Sequence, residues 1–133
     1  MPQISLNLIT QPHEIETNII MKSKGAFVYR SIGIVDTGAQ KCLFPLNMLD
    51  FLDYEDVEEV ELEQAGIAKQ TFRAKEATIS LKLEDRYANT SPELTVRAWF
   101  ADTDKIIIGF QDILDRAALY ADFRQTQTGW IEL

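Results

Sequence analysis

Residues 31–45 read SIGIVDTGAQKCLFP, an apolar run that ends abruptly in the polar turn Asp-Thr-Gly at 36–38. A second apolar patch follows at 42–44. Apolar runs on both sides of a small-residue turn predict a strand, a loop and a second strand. The pattern places Asp36 at the tip of an apolar strand. We expect its neighbours to withdraw it from bulk water, which raises the cost of its charge.

Together with its flanks, this turn resembles the active-site signature of the retropepsin-like aspartic proteases. In that family an apolar strand, here GIV at 33–35, leads into DTGA, here residues 36–39. A second segment, IIIGFQDIL at 106–114, resembles the apolar-apolar-glycine segment that leads into a short helix in the same family. The two segments occur in the family's order and span nearly the whole chain. The resemblance implies a single-domain member of the bacterial type.

The resemblance also implies a role for each matching residue. Asp36 would be the catalytic carboxylate, Thr37 would hydrogen-bond across a dimer, and Gly38 would offer its backbone to the substrate. Further residues would support the active-site loop: Ala39, Ile107, Ile108 and Gly109. The residues alone also fit a simpler interpretation, in which Asp36 only caps a tight turn, because Asp-Thr-Gly suits such turns unaided.

Hydrolysis of a peptide bond by carboxylates alone requires two of them. One is ionised and takes a proton from water, and the other is protonated and polarises the carbonyl. Two carboxyls can share one proton because like charges a few ångströms apart do not both ionise easily, as aspartic proteases illustrate. The chain contains one Asp-Thr-Gly. A two-fold homodimer would bring two Asp36 side chains together, and the resemblance to the homodimeric retropepsins implies the same partner.

Two positions depart from the retroviral pattern. Retroviral members carry an Asp after DTGA and an Arg after the late Gly, and these residues form an ion pair near the dimer interface. Here the two positions hold Gln40 and Phe110. That source of dimer stability is therefore absent, although no unpaired charge is left. Bacterial members often have Ser after DTGA, which Gln40 also is not.

Residues 64–70, QAGIAKQ, separate two strand-like segments and predict a hairpin tip. In retropepsin-like proteins the hairpin at this point in the order is the flap, which closes over a bound peptide. Gly66 would give the tip backbone freedom, and Ile67 would contact the substrate. The residues alone fit a plain surface hairpin equally well. For the acidic run at 53–63 we expect a solvated face, with repulsion of acidic peptides as the functional alternative.

The rest of the chain predicts mainly strands, with a turn at 22–25 whose Gly25 can adopt positive φ. The predicted strands are 4–8, 15–21, 26–35, 42–44, 57–62, 72–83, 94–100, 106–108, 119–123 and 130–133. One or two helical turns are expected at 46–52 and the best helix at 111–118, where apolar residues form one stripe. Many short strands and one short C-terminal helix indicate an all-β, retropepsin-like closed barrel or sandwich.

Composition excludes several classes of function. The 133 residues predict one domain, 1–133, that buries roughly two-thirds of its unfolded surface. The net charge of −8 argues against nucleic acid, which requires clustered Lys and Arg. No segment approaches the roughly 20 apolar residues of a membrane helix. The start, MPQISLNLITQPHE, lacks the features of a signal peptide, so we expect a cytoplasmic protein without a membrane partner.

The single histidine and the single cysteine limit the chemistry further. His13 alone supplies a His-bearing metal cluster or a Ser-His triad poorly, so we expect neither a metal nor a cofactor. Cys42 lies in an apolar run, where a small buried hydrophobic residue is expected rather than a reactive thiol. The sequence supports the hypothesis of a homodimeric aspartic endopeptidase acting on a peptide or protein. The alternative is a catalytically inactive module of the same fold that binds a peptide or serves in assembly.

Overall fold

A computed structural model describes residues 2–63 and 71–133 of the chain, and strands make up most of them. The ten strands are β1 (Gln3–Thr10), β2 (His13–Lys22), β3 (Val28–Val35), β4 (Leu43–Pro45), β5 (Tyr54–Glu63), β6 (Thr71–Glu84), β7 (Leu94–Ala101), β8 (Ile107–Ile108), β9 (Ala118–Asp122) and β10 (Thr128–Glu132). Each predicted strand overlaps one of them. The all-β class is therefore confirmed.

The strands form one sheet in the order β5-β6-β7-β4-β8-β3-β2-β1-β10-β9, and β6 also pairs with β2. Most neighbours are antiparallel, but β3 pairs with β8 in parallel, and so does β4 with β7. In the first of these pairs Ile34 lies beside Ile107, and Val35 lies beside Ile108. Because the two strands run in the same direction, the loops that follow them start side by side.

A β-hairpin carries the first of these loops. Strand β2 pairs with β3 from Glu16 opposite Ile34 to Lys22 opposite Val28. The connection contains the 3-10 helix Lys24–Ala26, in which Gly25 has a φ of 75°. This confirms the predicted turn, because glycine adopts positive φ at little cost. The hairpin is the platform from which β3 extends to Asp36.

The core is apolar and draws on most of the strands. Its largest fully buried side chains are Phe44, Phe100, Ile4, Ile19, Met21, Leu52, Leu81, Leu83, Ile108, Ile113, Ile131 and Val96. The rings of Phe44 and Phe100 stack with their centroids 5.4 Å apart. Cys42 is fully buried too, and its burial raises the pKa of the thiol to about 11. The interpretation of Cys42 as a buried hydrophobic residue is confirmed, because the thiol stays protonated at neutral pH.

Of the two helical predictions, one is confirmed and the other is wrong in length. The turn expected at 46–52 is the 3-10 helix Leu46–Asp50. The helix expected at 111–118 is wrong in length, because only the 3-10 helix Leu114–Arg116 forms there. Asp112 has a φ of 72°, which interrupts a right-handed helix, and β9 already begins at Ala118. Among the described residues no helix has the length and apolarity needed to cross a membrane.

Of the two predictions made for residues 53–70, the structure tests only the one for the acidic segment. The acidic segment forms most of β5, and its glutamates Glu55, Glu58, Glu59 and Glu61 are exposed. A solvated face is thus confirmed for this run. The hairpin tip predicted at 64–70, with Gly66 and Ile67, lies outside the described residues.

We expect Phe100→Ala to lower the free energy of unfolding by about 3–5 kcal/mol, because it leaves a cavity against the ring of Phe44. Chemical denaturation with urea measures the difference. Tyr87→Ala is the matched control, since Tyr87 is 65% exposed and its removal should change stability by less than about 0.5 kcal/mol. Equal losses for the two variants would contradict the assignment of Phe100 to the core.

Candidate active site

Asp36 directly extends the ladder of β3. The N–H of Ile34 donates to the carbonyl of Ile106 over 2.8 Å, and the N–H of Asp36 donates to the carbonyl of Ile108 over 3.0 Å. Side chains alternate along an extended strand, so Asp36 lies on the face of Ile34, opposite the buried Val35. The register of β3 thus directs the carboxylate of Asp36 away from the core.

The residues of the Asp-Thr-Gly turn are all exposed in the single chain. Oδ1 of Asp36 accepts a 2.8 Å hydrogen bond from the N–H of Gly38, and the carbonyl of Asp36 accepts one from Ala39 over 3.2 Å. The expectation that neighbours withdraw Asp36 from water is therefore wrong for one chain. The reason is the strand alternation, which turns the apolar Val35 inward and Asp36 outward. These local bonds also agree with the turn-capping interpretation of Asp36.

Backbone hydrogen bonds tie this loop to the segment that follows β8. The N–H of Phe110 donates to the carbonyl of Ala39, and the N–H of Gln111 donates to the carbonyl of Gln40, both over 3.0 Å. The two segments on which the family resemblance rests are therefore in direct contact, although they are far apart in sequence. This contact fixes the loop along the part that follows the turn.

Gly109 permits the close approach of the two segments. A Cβ on Gly109 would lie only 2.5 Å from the carbonyl oxygen of Lys41 and 2.9 Å from that of Ala39. The N–H of Gly109 also donates to Sγ of Cys42 over 3.4 Å. Both clashes involve backbone atoms, which cannot rotate away as a side chain can. Glycine is therefore the residue that this packing requires.

The other predicted site residues occupy the surroundings of this contact. Thr37 is exposed at the tip of the loop, and Ile107 is half-buried beside Ile34. Gln40 and Phe110 are exposed and uncharged, so no ion pair links them. Each is bonded to the opposite segment through its backbone, Phe110 to Ala39 and Gln40 to Gln111. Asp36, Gly38, Ala39, Ile108 and Gly109 are thus brought together, with Thr37 and Ile107 at the edges.

A largely buried ionic network adjoins the loop, and the sequence analysis missed it. One carboxylate oxygen of Glu76 accepts from Nζ of Lys41 over 2.6 Å and from Nε1 of Trp99 over 2.9 Å. Its other oxygen accepts from Nε of Arg97 over 2.8 Å. The Glu76 side chain is only 15% exposed. Because Lys41 belongs to the same loop as Asp36, the network anchors that loop to β6 and β7.

The partners of Glu76 determine its charge. Burial alone would raise the pKa of Glu76, but hydrogen bonds from Lys41 and Arg97 outweigh it and lower the pKa to about 2. Glu76 in turn raises the pKa of Arg97 through its hydrogen bond. The carboxylate of Glu76 is therefore ionised at neutral and at mildly acidic pH. The sequence carries only a weak signal of this network, because Glu76 faces Trp99 through a strand register that periodicity does not reveal.

Comparison with known proteins does not assign a function to this site. No model of a known protein family matches the chain, and no curated protein matches it either. Within residues 2–63 and 71–133, no group of three or more His, Cys, Asp or Glu side chains is arranged to hold a metal ion.

We expect Gly109→Ala to destabilise the fold by about 1–3 kcal/mol, because the added methyl group overlaps the carbonyl of Lys41. Gly38→Ala is the control, since its Cβ would meet only the carboxylate oxygen of Asp36, at 3.2 Å. Urea denaturation should show a clearly smaller loss for Gly38→Ala. A Gly109→Ala variant as stable as the wild type would contradict the close packing.

The stability contributed by Glu76 should depend on pH in a defined direction. Its pKa falls from 4.5 to about 2 on folding, so ionised Glu76 stabilises the protein above pH 4.5, and this contribution fades as the pH falls toward about 2. Glu76→Gln should cost about 1–3 kcal/mol at neutral pH, with the difference from wild type shrinking below pH 4.5. Thermal melts at a series of pH values measure this difference. Glu61→Gln, on the exposed face of β5, should show no comparable pH-dependent loss.

Proposed function

We propose that this chain is one half of a homodimeric, retropepsin-like aspartic endopeptidase, in which a water held between two Asp36 carboxylates attacks a peptide bond. The observation that carries the proposal is the placement of Asp36. It lies at the end of β3, on a loop whose backbone is bonded to the segment after β8, and its carboxylate is exposed. Both segments that resemble the family's motifs therefore contribute to one place.

The strand pairings support the proposal of a closed, retropepsin-like architecture. Pairs connect β2 to β3, β3 to β8, β8 to β4, β4 to β7, β7 to β6 and β6 back to β2. Such a circuit of pairs reduces the number of free strand edges, as closure of a sheet does. The parallel β3–β8 pair in this circuit holds Asp36 beside the segment of Gly109.

In the proposed mechanism each copy of the chain contributes one carboxylate. The exposed Asp36 of one copy meets its symmetry mate at the two-fold axis, where the two carboxyls share one proton. The ionised carboxyl takes a proton from water, and the resulting oxygen nucleophile attacks the scissile carbonyl carbon. The protonated carboxyl donates its proton to the carbonyl oxygen. Breakdown of the tetrahedral diol then breaks the C–N bond, and a proton passes to the leaving amine.

The dimer would also supply what the single chain lacks at Asp36. Contact with the second copy and with the peptide removes water from both carboxylates, which favours a shared proton over two charges. The N–H of Gly38 holds Oδ1 of Asp36 and so fixes the rotation of the carboxylate before a partner arrives. Thr37 is exposed at the tip of the loop and would bond with the partner copy, as the resemblance implies. The flap roles of Gly66 and Ile67 stay predictions from the resemblance.

A catalytically inactive peptide-binding module is the second candidate. The observation that favours it is the pair Gln40 and Phe110, which leaves the dimer without the ion pair of the retroviral members. A chain that does not dimerise would keep a peptide-binding surface but could not assemble two carboxylates. The two candidates therefore differ in mass as well as in activity.

We expect the wild type to cleave members of a peptide library between about pH 4 and about pH 7, and Asp36→Asn to lose at least about 10³-fold in rate, because the amide can neither accept nor share the proton. Product peptides are quantified by mass spectrometry. Asp115→Asn, an exposed aspartate in the segment after β8, is the matched control and should keep full activity.

Sedimentation at equilibrium separates the remaining outcomes. The protease proposal requires a species of twice the chain mass that persists in Asp36→Asn. Cleavage by the Asp36→Asn variant at the wild-type rate, or a strict monomer that cleaves, would refute the shared-carboxylate mechanism. Peptide binding without cleavage by either protein would assign the chain to the module class.

A further inference from the structure

A second surface lies along one edge of β3, before the strand reaches Asp36. Strand β3 pairs with β2 from Val28 to Ile34, but with β8 only at Ile34 and Val35. Within the described part of the chain, no strand pairs with residues 28–33 on the β8 side. An unpaired edge offers backbone donors and acceptors to an additional strand.

The direction of the backbone groups follows from the bonds farther along the strand. The N–H groups of Ile34 and Asp36 both point to the β8 side, where they reach Ile106 and Ile108. Because N–H groups alternate in direction along a strand, that of Ile32 faces the same side. The free edge therefore directs its N–H groups to the same side as the part of β3 that is paired with β8.

Exposed apolar side chains concentrate on the same stretch. Phe27 is 74% exposed and Ile32 is 52% exposed, and Val28 and Tyr29 between them are exposed as well. Isolated surface apolar residues are ordinary, but four of them within six successive positions, interrupted only by Arg30 and Ser31, mark an interaction surface. Burial of this group would release the water that now covers it.

A groove of about 450 Å³ runs beside this edge. Its apolar lining includes Ile32, Ile34, Phe51 and Ile106. The ring of Phe51 packs against Tyr29 at a centroid distance of 4.7 Å, and a second hollow that both residues line continues to Phe27. The apolar lining is thus continuous along the length of the free edge, so that a bound strand could place alternate side chains in it.

The charged rim of the groove is mainly acidic. Glu14, Glu16 and Asp104 line it, against a single cation, Lys105. Two further cations lie close by: Arg30 of β3 is paired with Glu84 over 3.4 Å, and Lys24 lines the second hollow together with Asp50. Glu16 lies directly opposite Ile34 in the β2–β3 pair, so its carboxylate belongs to the same face as that apolar residue. The rim favours a positively charged partner. It disfavours a second copy of this chain, which carries a net charge of −8.

We infer that residues 27–33, with this groove, form a docking site for an extended segment of a partner protein that has apolar residues at alternate positions and basic residues between them. We name it the β3-edge site. The segment adds to β3 through backbone hydrogen bonds. Because side chains alternate between the two faces of a strand, its apolar side chains lie on the face of Tyr29 and Phe51, and its basic side chains lie on the opposite face, where Glu14 and Glu16 are. The site does not include Asp36 and does not require the proposed protease activity.

The test uses fluorescence anisotropy with a labelled peptide of about eight residues, the length of a typical strand, that alternates Lys and Val. The same peptide with Glu in place of Lys is the charge control. Binding is measured with the full-length wild type and repeated with Asp36→Asn, which keeps the peptide intact if the wild type cleaves it. We expect the Lys peptide to bind both proteins and the Glu peptide to bind neither.

Variants locate the binding. Tyr29→Ala should weaken the Lys peptide at least about tenfold, because it removes the ring that packs beside Phe51 on the apolar face. Phe27→Ala is a second, milder variant should Tyr29→Ala fail to fold. Tyr87→Ala, an exposed aromatic residue on another turn, should leave binding unchanged. The double change Glu14→Gln and Glu16→Gln should weaken the Lys peptide roughly twofold to tenfold, as for two partly exposed charge pairs.

Amide exchange measured by NMR identifies strand addition directly. The amide of Ile32 should become protected when the Lys peptide is bound, because its N–H gains an acceptor. Failure of the Lys peptide to bind, equal binding by Tyr29→Ala and wild type, or protection confined to other strands would overturn the β3-edge site. So would a halving of the solution mass in Tyr29→Ala, which would assign the edge to a second copy. An inactive protein that still binds the peptide at this edge would overturn the protease proposal alone.

Discussion

The contact between the backbone of Gly109 and the loop after Asp36 is the constraint on which the rest of the site depends. Without a side chain at 109, the carbonyls of Ala39 and Lys41 can lie against the backbone of the segment after β8. Two backbone hydrogen bonds form at this contact, from Phe110 to Ala39 and from Gln111 to Gln40, and they fix the course of the loop. It also places Lys41 where its ammonium reaches Glu76. A methyl group at this one position would disturb the loop and the ionic network at once.

The ionic network around Glu76 holds the loop after Asp36 from within one chain. Gln40 and Phe110 supply no ion pair, whereas Lys41, one residue further on, is bonded to Glu76 and packs over the ring of Trp99. The loop is therefore held by β6 and β7 of its own chain. The order of the loop is thus a property of the single chain, separate from the stability of the proposed dimer. The low pKa of Glu76 keeps this anchor charged even at mildly acidic pH.

Periodicity in the sequence was enough to locate the strands, but not to show what the strands place side by side. Alternating apolar residues locate β1, β2 and β3 because one face of each strand is buried. The same alternation explains the error at Asp36: its neighbour Val35 faces the core, whereas the carboxylate lies on the other face of the strand. The helix stripe at 111–118 correctly indicated that Ile113 and Leu114 are buried, but positive φ at Asp112 depends on tertiary contacts. Glu76 was missed because its partners come from a loop and from another strand.

Strand β3 connects the two proposed sites physically. The β3-edge site ends near Ile32, and four residues further along the same strand is Asp36, a distance of roughly 13 Å at about 3.3 Å per residue. A segment added to the edge ends where β8 takes over the pairing with β3, so one end of the bound segment lies near the Asp36 loop. Tethering of this kind raises the effective concentration of whatever follows the docked segment, without any new contact at the carboxylate. One strand can therefore position both the proposed catalytic group at its end and the proposed means of presenting a polypeptide to it. The acidic rim then selects which polypeptides arrive.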